Sequence, residues 1–188
     1  MRSIPWLTSL ALGLALGLLA CSRPPEKPAR PRIVETSAPE VRSATAIMNA
    51  APGSKVSGKV TFAQQRDGIE VHIDLKGLEP GKHGFHIHET GDCSTPDFKS
   101  AGDHFNPEHA AHGDRGDSAR HVGDLGNLTA DSQGNVDVTF VDDQIALKGE
   151  HSIVGRAVIV HAQPDDLLSQ PSGNAGAREA CGVIAPQP

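Results

Sequence analysis

The chain is 188 residues long and carries a formal net charge of −6 at pH 7. That length gives room for one ordinary domain plus a leader, and enough chain to bury a core. An acidic protein without a basic stripe is a poor partner for nucleic acid, so that class of function is excluded.

Arg2 is followed by an apolar run from Leu7 to Ala20 that holds no acidic residue. The run is too short for a comfortable transmembrane span and has the shape of a signal-peptide hydrophobic region. It ends in Leu18-Leu19-Ala20-Cys21, which resembles a bacterial lipobox, where the cysteine is acylated and becomes the new N-terminus. The expectation is therefore a signal peptide over 1–20, a membrane anchor at Cys21, and a domain exported to the periplasm or cell envelope. Leu19 is bulkier than the pattern prefers, which leaves cleavage without lipidation as the alternative. Loss of Arg2 with the leader makes the mature chain one unit more acidic. Residues 21–43 hold five prolines, several charges and almost no apolar periodicity. They read as an extended, solvated tether, with the domain proper over 44–188. Cys93 and Cys181 then remain as a pair in an oxidising compartment, where a disulfide is expected. Closing a loop of about ninety residues would stabilise by about 4–5 kcal/mol in the chain-entropy account.

From Ser43 onward the pattern is all-β. Val56, Gly58, Val60 and Phe62 alternate with Ser57, Lys59 and Thr61, and Arg66-Asp67-Gly68 signals a hairpin turn. Ile69, Val71, Ile73 and Leu75 alternate with Glu70, His72, Asp74 and Lys76, which makes a strand with one buried face and puts His72 on its polar side. Pro80-Gly81 turns the chain into a strand carrying His86-Ile87-His88. Periodicity then stops, resumes near His121-Val122-Gly123-Asp124-Leu125, and continues through Val136, Val138 and Phe140. It returns in Ala157-Val158-Ile159-Val160-His161 and again in Ala180-Cys181-Gly182-Val183-Ile184. No 3.6-residue stripe is sustained beyond the leader. Eight or so short strands at this spacing predict an antiparallel sandwich or flattened barrel. Two long irregular excursions, 90–120 and 162–178, are where function is expected to sit.

On a strand the side-chain period is two, so His86 and His88 project from one face. Alone, such a pair also fits a solvated strand face. Downstream, His104, His112, His121 and Asp124 are scattered through a Gly-, Asp- and Asn-rich stretch that must be mostly loop. A loop that long needs something to hold it, and a metal would do so. With His161 these make seven candidate ligands. Three imidazoles and a carboxylate suit tetrahedral zinc, and four imidazoles without thiolate favour tetragonal copper. Seven is one short of two four-coordinate sites, unless one imidazole bridges both metals through its two nitrogens.

Several motifs occur together in one order. They are Gly84-Phe85-His86-Ile87-His88-Glu89, Ala101-Gly102-Asp103-His104-Phe105-Asn106-Pro107 and His121-Val122-Gly123-Asp124-Leu125-Gly126-Asn127. Gly173-Asn174-Ala175-Gly176-Ala177-Arg178 and Ala180-Cys181-Gly182-Val183-Ile184 complete the set. Over about residues 44–186 the chain closely resembles the copper/zinc superoxide dismutases in their exported bacterial form. The resemblance implies an eight-stranded antiparallel Greek-key barrel or sandwich with two long functional loops. It implies one copper per chain on His86, His88, His104 and His161, and one zinc on His104, His112, His121 and Asp124. His104 would bridge the two metals and take up and return a proton as copper alternates between oxidation states. Arg178 would stand at the mouth of the copper channel, and Asp165 would orient ligand histidines of both metals. Cys93 and Cys181 match the family's disulfide. Superoxide is the implied substrate, and the chain is expected to be a homodimer or a monomer. Lys99 is a further candidate for steering the anion. His83, His109 and His151 have no ligand role in the matched pattern. The loop between Asp165 and Arg178 is shorter than in the eukaryotic branch, so that branch's charged guidance residues do not transfer. A metal-binding module on the same scaffold without turnover is the competing function.

Overall fold

Alternating side chains form a strand wherever one face can be buried, and most of the nine strands among the described residues arise in this way. The computed structural model describes residues 41–187. The expected signal peptide, Cys21 and most of the tether lie outside them. The strands are β1 (Ser43–Ala50), β2 (Ser57–Gln65), β3 (Gly68–Lys76), β4 (Gly81–His88), β5 (Asp124–Ala130), β6 (Val136–Asp142), β7 (Ala157–His161), β8 (Arg178–Val183) and the two-residue β9 (Ala185–Pro186). The one described helical turn, Lys99–Ala101, is 3-10. No described helix is long and apolar enough to cross a membrane.

All ladders between the strands are antiparallel, in the order β5-β4-β7-β8-β1-β2-β3-β6, with β9 added to β1. The path curls into a nearly closed eight-stranded barrel, and its two ends, β5 and β6, are linked by the Asp131–Asn135 turn. Connections β3–β4 and β6–β7 cross from one half of the order to the other, which is the Greek-key pattern. Inside, Val60, Phe62, Val71, Ile73, Phe85, Ile87, Val158 and Val160 are fully buried. They come from alternate positions of β2, β3, β4 and β7, as a period of two requires.

Strand β7 is buried along its whole length. Val158 and Val160 face the barrel interior, while Ala157 and Ile159 join Phe98, Ala101 and Cys181 in a second apolar cluster on the outside. That is the physical meaning of an uninterrupted apolar run: both faces are covered. The outer cover is the 90–120 segment, pinned to β8 by the expected Cys93–Cys181 disulfide. A third excursion, 143–156, adds to the two expected ones. It sends Ile145, Leu147 and Ile153 into the main core. Their spacing follows neither a strand nor a helix period, so alternation does not flag it.

Candidate metal centre

Strand β4 aims Phe85 and Ile87 inward, so His86 and His88 point out of the barrel, yet both are fully buried. The long loop doubles back along β4 and covers them. Phe105 N–H donates to Ile87 O at 2.8 Å, Ile87 N–H to Gly123 O at 2.9 Å, and Glu89 N–H to Asp103 O at 2.9 Å. Gly123 is required there because a β-carbon would run into the Ile87 carbonyl. An isolated bridge sets His104 opposite His88. Register shifts after Gly84 and at Val160/His161 bend the strands locally, and such bulges re-aim side chains.

The result is a group of four imidazoles, His86, His88, His104 and His161, each offering a ring atom within 4.8 Å of the others. One nitrogen of every ring is already engaged. His86 Nε2–H donates to Asp165 Oδ2 at 2.7 Å and His88 Nδ1–H to Gly102 O at 2.9 Å. His104 Nδ1–H donates to Asp124 Oδ1 at 2.8 Å and His161 Nδ1–H to Gly176 O at 3.3 Å. Those bonds set the tautomers, so the second nitrogens present lone pairs. His86 Nδ1, His88 Nε2, His104 Nε2 and His161 Nε2 are all buried without a partner. Four converging lone pairs repel one another and fit a cation. Burial lowers the pKa of His88 and His161 well below the ordinary value, and lowers that of His86 against the pull of Asp165. Burial, opposed by the bond to Asp124, brings His104 down to about 4. The rings are thus held neutral, the form that binds a metal.

A second group shares His104. Its Nδ1, together with Nδ1 of His112 and of His121, surrounds Asp124 Oδ1 at 2.8, 3.0 and 3.2 Å. His112 Nδ1 is close but turned off the line of a hydrogen bond, and stays without a partner. Burial pushes the Asp124 carboxyl up, but the three histidines around it overcome this and hold it well below the usual carboxylate range. For His112 burial is again outweighed, here by Asp124 and Asp165, and its pKa is raised to about 9. Three imidazoles and one carboxylate with ligand atoms within 4.8 Å of one another are a donor set of the zinc type. Asp165 joins the two groups: Oδ2 takes the His86 bond and Oδ1 accepts from His112 Nε2–H at 2.9 Å. Gly173 lies against this bridge with φ +64°, where a β-carbon would strike Asp165 Oδ1.

His88, His104 and His161 line a cavity of about 1050 Å³ that opens between the loops. Arg178, the first residue of β8, lines it too. Its Nη1 donates to Phe98 O and its Nη2 to Gly102 O, both at 2.6 Å, so Gly102 O serves Arg178 and His88 together. Lys99 is exposed at the rim and paired with Asp97 at 3.0 Å. Glu89, Asp103 and Glu179 also line the mouth, so its protein charge is negative. His109 lines the cavity but belongs to neither group. His72 is on the surface beside Asp137.

Sequence reasoning passes over several supports. His83 is buried between His161 O and Glu79 O, each 2.8 Å from a ring nitrogen. Asn127 makes a two-point pair with the Asp165 main chain at 2.8 and 2.9 Å. Arg120 is fully buried, donating to Asp142 Oδ2 at 2.6 Å and to His121 O at 3.0 Å. An arginine inside a glycine- and aspartate-rich loop carries no period that would mark it as buried.

Two metal-type donor sets sharing one imidazole, on an antiparallel barrel, make a candidate dinuclear centre. The sequence model of the family described as copper/zinc superoxide dismutase (SODC) matches residues 56–184. "Superoxide dismutase [Cu-Zn]" of Schizosaccharomyces pombe is 54% identical over 140 residues, spanning 70% of this chain and 90% of that protein. The protein of that name from Onchocerca volvulus is 47% identical over 144 residues, spanning 71% and 90%. Among solved structures, the clock protein EA4 matches with a TM-score of 0.73 and 43% identity, covering 80% of this chain and 99% of that one. The chain belongs to the copper/zinc superoxide dismutase family.

Proposed function

We propose that the chain is an exported superoxide dismutase that converts superoxide to dioxygen and hydrogen peroxide. The observation that carries this reading is the set of four buried, unpartnered ring nitrogens beside the cavity, one of them on the imidazole shared with the second group. His86, His88, His104 and His161 would hold copper, and His104, His112, His121 and Asp124 would hold zinc, one of each per chain. Copper would supply a one-electron couple, which zinc lacks, and zinc would supply a fixed positive charge.

The chain's own residues do the rest. Two superoxide anions and two protons give one dioxygen and one hydrogen peroxide, so one substrate is oxidised and the other reduced. His104 Nε2 faces the group beside the cavity and is the atom that would hold and return a proton. Arg178 presents a cation whose position is set by two carbonyls. A local positive field can draw a small anion to an acidic protein, a behaviour for which enzymes of this class are a standard example. Asp165 keeps His86 and His112 in one orientation, and Gly102 and Gly176 do the same for His88 and His161. The lipobox-like end of the leader supports export and a lipid anchor at Cys21 in the cell envelope. The working form is a homodimer or a monomer.

His86→Ala removes one member of the copper set and none of the zinc set. It is expected to abolish dismutation while leaving a folded domain that still binds one zinc. Full activity in that variant would contradict the catalytic assignment.

A further inference from the structure

His112 is the least supported of the residues around Asp124. His104 is bridged to His88 by backbone bonds, His121 N–H donates to Asp124 Oδ2 at 3.1 Å, and Asp124 itself opens β5 against β4. His112 instead lies in the ladder-free part of the 90–120 excursion. Nearby, Asn106 closes a local ring with Ala110 at 3.0 Å in both directions, and Gly113 N–H reaches Asp124 Oδ2 at 3.1 Å. The His112 main chain is met from the other loop. Its N–H donates to Gln170 Oε1 at 2.8 Å, and its carbonyl accepts from Gln170 Nε2–H at 2.9 Å. A third bond, from Gln170 Nε2–H to Leu168 O at 3.2 Å, holds the amide in its own loop.

A side-chain amide paired with both main-chain groups of one residue leaves that residue a single orientation. Asp165, five positions before Gln170, meanwhile holds the His112 ring. One loop thus grips His112 twice, at the ring and at the backbone. We propose that Gln170 is a positioning residue for the zinc half of the centre. It acts through the main chain of His112 and makes the 162–178 loop responsible for retaining zinc. The proposal rests on the zinc reading of the His104, His112, His121 and Asp124 group.

The test compares the metal-loaded full chain with Gln170→Ala, Gln170→Asn and Gln170→Glu. It follows transfer of zinc to a chromogenic chelator, loss of copper to a copper-selective chelator, and the Tm of each metal-free protein. Residues that orient ligands typically change metal affinity by about 10–100-fold. Zinc transfer from Gln170→Ala is therefore expected to be faster by about tenfold or more. Gln170→Asn should behave alike, because the shorter amide cannot reach both groups. Gln170→Glu should fall between, since it keeps the acceptor for the His112 N–H and loses the donor to its carbonyl. Copper loss should stay at the wild-type value, while the lost hydrogen bonds lower metal-free Tm only modestly. Unchanged zinc transfer in all three variants would overturn the proposal. So would parallel acceleration of zinc and copper loss with a large fall in Tm, which would make Gln170 a general brace. A wild-type protein that takes up no zinc would instead overturn the reading of the centre itself.

Discussion

Each imidazole of the centre is defined by which of its nitrogens is already spent. Asp165, Gly102 and Gly176 each claim one ring nitrogen, of His86, His88 and His161 in turn, and leave the other as an unpartnered lone pair, while the nitrogen that His104 turns to Asp124 is the one that would face zinc. Without these acceptors the rings could flip or change tautomer, and the donor set would lose its shape. The same reasoning gives Arg178 its weight. Glu89, Asp97, Asp103 and Glu179 line the cavity, and Lys99 is tied to Asp97. Any protein-borne attraction for an anion therefore falls largely on Arg178. Arg178→Glu should slow dismutation, and raising salt should then leave the rate flat or increase it, because screening relieves repulsion. Stopped-flow rates across ionic strength would check this, and no kinetic change would remove Arg178 from steering.

Elements matter here as a rigid wall against which loops are fixed. Beyond the disulfide, the 90–120 excursion is tied to the 143–156 excursion through His151. Its Nδ1 lies 2.8 Å from Gln144 O and its Nε2 2.7 Å from Glu108 Oε1. Only the protonated ring can donate to both. The hydrogen bond to Glu108, opposed by burial and aided by Gln144 O and the charge of Glu150, raises its pKa above 6.5. A raised folded-state pKa stabilises fully below the unfolded value of about 6.5 and loses that contribution as pH climbs through the folded value. His151→Gln should therefore cost stability at pH 6 and progressively less as pH rises past the raised value. The effect is small because the pair is largely solvated. Thermal melts of wild type and variant across pH would test it, and a pH-independent difference would contradict the tie.

Much of this was legible in sequence because antiparallel strands with one buried face advertise themselves by alternation. Ile69 to Leu75 is read directly, as is the His86/His88 pair on one face of β4. At β7 the sequence marks only one more strand; burial on both of its faces, with Phe98 and Ala101 in the outer cover, is seen only in the fold. The 143–156 excursion was missed because Ile145, Leu147 and Ile153 follow no period. Arg120, Asn127 and Gln170 were missed for a related reason. Their partners are backbone groups or a carboxylate distant in sequence or hidden in loops, and such pairings leave no local pattern.

For the whole molecule, the centre and the fold stabilise each other. The disulfide spans 88 residues from the covering loop to β8, and both donor groups join that loop to strands of the barrel. A ligand that binds only the folded state adds to its stability, so metals should rigidify the loops that hold them. The central claim is that this arrangement is a working copper/zinc centre. The most direct test is metal content measured together with superoxide dismutation by the purified protein. The account predicts one copper and one zinc per chain with rapid turnover. Full loading of both metals without turnover would contradict it and leave a metal-holding module in its place.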